Sequence, residues 1–191
     1  MRYSKEHSGE VRQRLLKEGG RHVKERGMQG AGVDGIAKRV GLTGAALYTH
    51  FSSKQDFLGA VLFEELVATA QRFLAAQGSI EEALAQYMSL AHARRVATGC
   101  PLPSLLADVS RSDEVVRRSF EKGLTQIAEA LAQKLRDPRQ AMAVLASAIG
   151  GVALARALPD DVQAEAVLAS TRELITRGLK PKKTRARAPK A

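Results

Sequence analysis

The side chains that could do chemistry are few in this chain of 191 residues. Its single cysteine, Cys100, excludes an internal disulfide and any cysteine-pair metal motif. The glycine spacing over residues 30–35 follows charged helical sequence instead of an apolar strand, so we predict no dinucleotide site. No nucleophile elbow or phosphate-binding loop supports catalysis, and we expect no enzyme, no metal and no cofactor. The histidines share no metal-ligand spacing: His7, His22, His50 and His92.

Cys100 allows two interpretations. A free cysteine is most often a small buried hydrophobic residue. The alternative is a sensor of oxidants or electrophiles, because Cys100 precedes Pro101 at a predicted helix N-terminus, with Arg94 and Arg95 nearby in sequence. A thiol-dependent enzyme, with Cys100 as nucleophile and His92 as base, is a separate hypothesis.

The basic charge is concentrated at the two ends of the chain. Residues 1–54 contain eleven Lys and Arg against five Asp and Glu, and residues 180–191 contain six Lys and Arg and no acid. This distribution predicts that the N-terminal part meets a polyanion, either nucleic acid or an anionic membrane. There is no uninterrupted apolar run of eighteen residues and no apolar leader, so we expect a cytoplasmic protein that does not bind membranes.

Helical periodicity runs along the whole chain and predicts an all-α protein of about nine helices. We expect a three-helix unit over residues 1–53, a larger helical body over 54–179 and a disordered basic tail over 180–191. Gly27 is predicted to stop the first helix. A single helix is predicted from Ile80 to about Ala97.

The segment from about Val33 to His50 has the spacing of a helix-turn-helix. Gly41 is expected to form the turn with a positive φ, and Thr43 to cap the second helix. That helix is short and barely charged, which suits close approach to a major groove. Its inward positions are predicted to be Leu47 and Phe51. Its outward positions are predicted to be Thr43, Ala45, Ala46, Tyr48, Thr49 and His50.

A long helix is predicted to begin directly after this segment. Ser53 is its expected N-cap, and Asp56 stands in a capping-box-like position. A lysine in the first turn, Lys54, is disfavoured by the helix dipole unless an anion compensates. A DNA phosphate would supply that anion.

The order and spacing of these residues resemble the tetracycline-repressor (TetR) family, over residues 12–62. The shared motifs are Ile36-Ala37, Gly41-Leu42-Thr43, Leu47-Tyr48, His50-Phe51 and Ser53-Lys54. Many members open the second helix with Ser or Thr, where this chain has Ala31-Gly32, so the Gly32 amide is the expected phosphate donor there. The DNA contacts that the resemblance implies are Gly32, Thr43, Gly44, Ala45, Ala46, Tyr48, Thr49, His50 and Lys54.

The resemblance also implies a homodimeric repressor on a pseudo-palindromic operator in double-stranded DNA. In the family, the last two helices form a four-helix dimer interface. The candidate interface residues here are Leu145, Ile149, Val152, Val167, Thr171 and Leu174.

Beyond the DNA-binding motifs, the chain resembles the family in helix order and in the stretch Gly99-Cys100-Pro101-Leu102. We expect an unidentified small molecule or a thiol modification to act on the body, and the long helix from Lys54 to transmit the signal. The sensing candidates, whose apolar members are equally typical of a core, are Phe63, Leu66, Met88, His92, Cys100, Leu102, Leu105, Phe120 and Leu124.

Overall fold

The computed structural model describes residues 5–135 and 137–179, and within them the protein is entirely helical. The predicted all-α class is confirmed, with ten helices in the described part of the chain instead of about nine. The predicted disordered tail, 180–191, lies outside the described residues. The helices are α1 Lys5–Gly30, α2 Val33–Arg39, α3 Gly44–Leu47, α4 Lys54–Ala75, α5 Ile80–Tyr87, α6 Leu90–Arg94, α7 Leu102–Ser110, α8 Glu114–Leu135, α9 Pro138–Ala157 and α10 Asp161–Leu179.

One hydrophobic core joins the N-terminal unit to the body. Helix α4 lies along α8, and α9 packs between α8 and α10. Helix α1 rests on both α4 and α7, so two elements of the body support the N-terminal unit. A change in either element can therefore reach α1 directly.

Gly27 breaks α1 as the sequence predicts, although the chain resumes a helical turn beyond it. Its φ of 73° is in the left-handed region, which favours glycine. The break frees the backbone N–H of Met28, which donates to the Asp108 carboxylate of α7 at 2.8 Å. The end of α1 is therefore fastened to the body at this kink.

Two glycines allow α1 and α4 to approach closely. A Cβ atom on Gly19 would lie 2.5 Å from the Phe57 ring, and one on Gly20 would lie 2.3 Å from a Glu65 carboxylate oxygen. Both distances are shorter than van der Waals contact, so a larger side chain at either position would require the Phe57 ring or the Glu65 carboxylate to move. The aromatic ring and the carboxylate of α4 occupy the space that the two glycines leave.

That carboxylate forms a buried ion pair with Lys24 of α1. The Lys24 Nζ lies 2.7 Å from Glu65 Oε2, and the lysine side chain is only 3% exposed. The same Nζ donates to the carbonyl of Gly99 at 3.3 Å. One ammonium group therefore joins α1, α4 and the loop that precedes α7.

The prediction of a single helix from Ile80 to about Ala97 is wrong, because the helix ends at Tyr87 and a second one begins at Leu90. Ser89 caps α6 by accepting the His92 N–H at 3.2 Å, which competes with continuing the first helix. The break leaves the carbonyls of Tyr87 and Met88 without their helical partners. The Tyr87 carbonyl accepts a hydrogen bond from the His92 ring, and the Met88 carbonyl accepts one from the Arg172 guanidinium of α10.

His92 is held in one neutral tautomer by this arrangement. Its Nδ1 donates to the Tyr87 carbonyl, and its Nε2 accepts the Cys100 N–H at 3.2 Å. Burial lowers the pKa of His92, and the guanidinium groups of Arg156, Arg72 and Arg95 lower it further. The ring therefore pins α6 to the loop before α7 as an uncharged group.

The buried ion pair gives a stability prediction. Lys24→Met strands a largely buried carboxylate and should lower the free energy of unfolding by about 3 kcal/mol, while Lys24→Met with Glu65→Gln should lower it less. Arg118→Met, which removes an exposed pair with Glu114, should cost less than about 1 kcal/mol. Urea denaturation at a fixed protein concentration measures all three. A Lys24→Met variant as stable as wild type would contradict the assignment.

His92 gives a pH prediction. Its folded-state pKa is lowered, so its contribution to stability is present above the unfolded pKa of about 6.5 and is lost as the pH falls below it. The stability advantage of wild type over His92→Asn should therefore shrink in acid, as measured by urea denaturation between about pH 8 and pH 5. A difference that stays constant over this range would show that His92 does not need to be neutral.

Candidate functional site

The turn of the helix-turn-helix has the predicted geometry. Gly41 has a φ of 76°, and the N–H of Leu42 donates back to the Ala37 carbonyl at 2.9 Å. From α1, Arg14 donates to the Val40 carbonyl at 3.2 Å. The turn is therefore fixed both by its own backbone and by a side chain of the first helix.

Helix α3 is short because the chain continues beyond it in turns of the 3₁₀ type. Thr43 caps it as predicted, accepting the Ala46 N–H at 3.4 Å, and hydrogen bonds three residues apart carry these turns to His50. A Cβ on Gly44 would lie 1.9 Å from an Asp34 carboxylate oxygen. Gly44, expected only as a DNA contact, thus also allows α3 to sit against α2.

The exposed side of α3 carries the residues that the sequence places at DNA. Tyr48 is 51% exposed, Ala45 and Thr49 are also exposed, and Ala46 and His50 are half-buried. The inward-facing residues, Leu47 and Phe51, are buried as expected. This side offers a phenol, a hydroxyl and an imidazole beside small side chains, which suits hydrogen bonding to base edges and phosphates.

Lys54 stands in the first turn of α4, close in sequence to this surface. Ser53 caps the helix by accepting the Asp56 N–H at 3.0 Å, and Asp56 accepts the N–H of Ser52 at 2.8 Å. The capping arrangement predicted here is confirmed, with Ser52 as the donor to the carboxylate. Lys54 makes no ion pair with any described residue, so its ammonium group is available to an external anion.

The predicted backbone donor, Gly32, is already engaged within the chain. Its N–H donates to the Gly30 carbonyl at 3.1 Å, and the residue caps α2 without a side-chain hydrogen bond. The exposed Gly32 can lie near a phosphate, but its amide is committed elsewhere. This follows from the sharp bend between α1 and α2, which the sequence pattern does not indicate.

Arg12 supports the end of the helix-turn-helix through a contact that the sequence did not predict. Its guanidinium lies 4.9 Å from the centroid of the Phe51 ring, which itself contacts Phe57 edge-on. The sequence pattern does not predict this contact, because Arg12 in α1 and Phe51 at the far end of the helix-turn-helix are distant in sequence. The basic charge of α1 is thus partly structural.

A cavity of about 440 Å³ lies in the body, where the end of α4 meets α5, α6 and the loop before α7. The break between α5 and α6 creates it, so no periodicity in the sequence points to it. Its lining residues are Thr69, Arg72, Phe73, Ala75, Ala76, Ala83, Gln86, Tyr87, His92, Arg95, Thr98, Gly99 and Cys100.

Two of the expected sensing residues, His92 and Cys100, line this cavity. The remaining candidates, except Phe63, belong to the core or pack against it, in agreement with the alternative interpretation of their pattern. Four of them are fully buried there: Leu66, Met88, Leu102 and Leu105. The other three, Phe63, Phe120 and Leu124, are half-buried. Of these, Phe120 and Leu124 pack against the core.

Cys100 is buried, and burial raises the pKa of its thiol. The structure places it beside His92, as the enzyme hypothesis would require, but the ring nitrogen accepts the Cys100 backbone N–H instead of the thiol proton. A protonated, enclosed thiol with no available base is poorly suited to nucleophilic attack. The geometry therefore fits the buried-hydrophobe interpretation better than either reactive one.

The exposed apolar face of α9 and α10 differs from the expected one. Leu145, Ile149 and Val152 are buried within the protomer, because α9 is apolar all round and these residues face its own core. Val167 and Thr171 are half-buried, and of the expected interface residues Leu174 alone is well exposed. The large apolar side chains exposed on these helices are Met142, Leu154, Val162 and Leu174.

Helix α9 is also long and apolar enough to cross a membrane, judged by length and composition alone, which we did not expect. Its inward face packs in the protein core. The core helix of a soluble protein meets the same criterion, so this is weak evidence for a membrane span.

Comparison with known proteins agrees with this architecture. The sequence model described as "Bacterial regulatory proteins, tetR family" matches residues 15–61, which contain the whole helix-turn-helix. No curated protein sequence matches the chain.

Solved structures extend the likeness to the body. Reduced NemR from E. coli is 25% identical with a TM-score of 0.71, covering 86% of this chain and 96% of that one. A TetR-family regulator from Cytophaga hutchinsonii is 16% identical with a TM-score of 0.72, covering 93% and 98%. FadR from Bacillus subtilis, in complex with stearoyl-CoA, is 18% identical with a TM-score of 0.65, covering 87% and 98%. Residues 15–61 therefore match the DNA-binding unit of the tetR family of bacterial regulatory proteins, and the described chain as a whole shares the fold of solved TetR-family regulators.

Proposed function

We propose that two copies of this chain bind a pseudo-palindromic operator in the cytoplasm, repress transcription there, and release the DNA when a small molecule occupies the cavity. The observation that carries the proposal is the exposed side of α3, with Tyr48 and Thr49, on a helix-turn-helix fixed against α1. Lys54 supplies a cation beside it. Two such surfaces, about 34 Å apart, would meet successive major grooves.

A small molecule is favoured over a thiol signal. FadR of Bacillus subtilis was solved with stearoyl-CoA, a small-molecule ligand, and NemR of E. coli in a reduced form. In this chain, the enclosed Cys100 has a raised pKa, which disfavours the thiolate that oxidants attack. The cavity beside it has a volume typical of sites for small ligands.

The proposed dimer interface is the exposed apolar face of α9 and α10. Leu154 is 62% exposed, Val162 is 79% exposed and Leu174 is 69% exposed, although large apolar side chains are normally covered. Smaller residues on α9, among them Ala146 and Gly150, are exposed as well. Two helices from each copy would form a four-helix bundle that covers this face.

The cavity has a short physical connection to the DNA-binding unit. Gly99 lies in its wall, and the Gly99 carbonyl accepts a hydrogen bond from Lys24 of α1. A second cavity, of about 380 Å³ between α1 and α4, shares Arg72 and Thr98 with the first. A ligand that displaced the loop at residues 98–100 would therefore disturb the contact that positions α1, in addition to acting along α4.

The DNA contacts give a binding prediction. Tyr48→Ala and Lys54→Ala should each weaken binding to the operator by about 5- to 150-fold, because each removes a contact to a base or a phosphate. Lys54→Ala should also reduce the salt dependence by about one charge. Fluorescence anisotropy with DNA from the region upstream of the gene, at two salt concentrations, measures both effects.

Lys122→Ala, which removes an exposed lysine from α8, is the matched control and should bind like wild type. If all four proteins bound the DNA equally, the assigned surface would be wrong. If wild type bound no sequence selectively, the proposed function would be wrong.

The interface gives an association prediction. Leu154→Arg and Leu174→Arg should weaken dimerisation by about 30-fold or more, because each buries an unpaired charge worth roughly 2 kcal/mol or more at the centre of the bundle. Val115→Arg alters a similarly exposed apolar residue on α8 and should leave the dimer intact. Sedimentation velocity distinguishes the two cases. A wild-type monomer, or dimers that tolerate both leucine substitutions, would contradict the interface.

A further inference from the structure

We propose that the cavity binds a small organic anion, a carboxylate joined to an apolar body, through Arg72, Arg95 and the Tyr87 hydroxyl. The inference rests on the proposed function only in naming this ligand as the effector. The ligand class itself follows from the lining of the cavity, as given below.

The cavity wall is cationic without being neutralised. Arg72 donates to the Thr69 hydroxyl at 2.8 Å and Arg95 to the Ala91 carbonyl at 3.0 Å, which leaves further N–H groups on each guanidinium. Neither arginine forms an ion pair with a described residue, and the residues that line the cavity include no carboxylate. A pair of guanidinium groups without an acid is a suitable partner for an anionic oxygen.

A third guanidinium group, that of Arg156, lies next to the cavity lining and adds to its positive charge. Arg156 donates to the Ala93 carbonyl and to the Ser104 hydroxyl, and its Nη2 is buried with no hydrogen-bond partner in the described part of the chain. A Cβ on Gly99 would lie 2.9 Å from that Nη2. Burial lowers the pKa of His92 in the cavity wall, and the positive charges of Arg156, Arg72 and Arg95 lower it further.

Tyr87 supplies a directed hydrogen-bond donor. Its side chain lines the cavity, and its buried hydroxyl interacts with the Cys100 thiol, a weak acceptor, but makes no well-formed hydrogen bond to any described residue. Leaving such a group unsatisfied is unfavourable, and a ligand oxygen would satisfy it. Burial raises the pKa of Tyr87, so the hydroxyl keeps its proton and can donate.

The rest of the lining is apolar and small. Phe73 and the alanines at positions 75, 76 and 83 offer a surface for a hydrocarbon or an aromatic ring. The arrangement therefore has an apolar side and a cationic, hydrogen-bonding side. It fits an amphiphilic carboxylate and disfavours an amine, which would face two guanidinium groups.

The test uses the full-length protein without DNA and two matched probe series. Isothermal titration would compare 2-naphthoate with 2-naphthamide and 2-naphthylmethylamine, and octanoate with octanamide. At least one carboxylate should bind about 10-fold or more tightly than its amide, because charge-assisted hydrogen bonds are lost in the amide. The amine should bind most weakly.

The variants Arg72→Gln, Arg95→Gln and Tyr87→Phe should each weaken binding of the carboxylate by about 10-fold and binding of the amide by less, because hydrogen bonds to a charged oxygen are stronger than those to an amide oxygen. Arg117→Gln, which removes an exposed arginine from α8, is the charge-matched control and should have no effect.

Equal affinity for acid and amide, no binding of any carboxylate, or unchanged binding in the arginine variants would overturn the proposal. Because DNA is absent, these outcomes are independent of the proposed function. A protein that bound the carboxylate but no operator would refute the regulator and leave the ligand class standing.

Discussion

The Lys24–Glu65 ion pair is the interaction on which the arrangement of the two parts depends. A lysine that is 3% exposed requires a close counter-charge, and Glu65 of α4 supplies it at 2.7 Å. The same ammonium group donates to Gly99, in the wall of the cavity. The position of α1, and with it the helix-turn-helix, is therefore set by an element of the body and by a loop that a ligand would touch. In the proposed function, this stabilising contact is also the route of regulation.

Close approach at small residues makes this connection stiff. Gly20 leaves room for the Glu65 carboxylate, and Gly44 lets α3 rest against Asp34. Gly99 lies so near the Arg95 carbonyl, 2.7 Å from where a Cβ would be, that the cavity loop cannot accept a side chain without moving. Packed contacts of this kind shift as units instead of deforming gradually. A displacement at the cavity can thus be passed to α1 without first being absorbed by the loop.

The sequence predicted the features that depend on neighbouring residues. The turn glycine Gly41, the cap Thr43 and the capping of α4 at Ser53 follow from local backbone chemistry, and the structure has all three. The cavity could not be predicted, because it depends on a helix break that His92 and Arg172 stabilise from elsewhere in the chain. The exposed face of α9 was misjudged for a similar reason. A helix that is apolar all round has no polar stripe to show which side is buried, so Leu145 and Ile149 could not be told apart from Leu154.

The most direct test of the coupling between cavity and DNA is reciprocal. The affinity of the full-length protein for a carboxylate such as 2-naphthoate would be measured with and without saturating operator, in wild type and in Lys24→Met with Glu65→Gln. The account predicts that operator weakens carboxylate binding in wild type by about 5- to 150-fold, that the carboxylate weakens operator binding by the same factor, and that the double variant loses most of this difference. Equal carboxylate affinity with and without operator in wild type would contradict it.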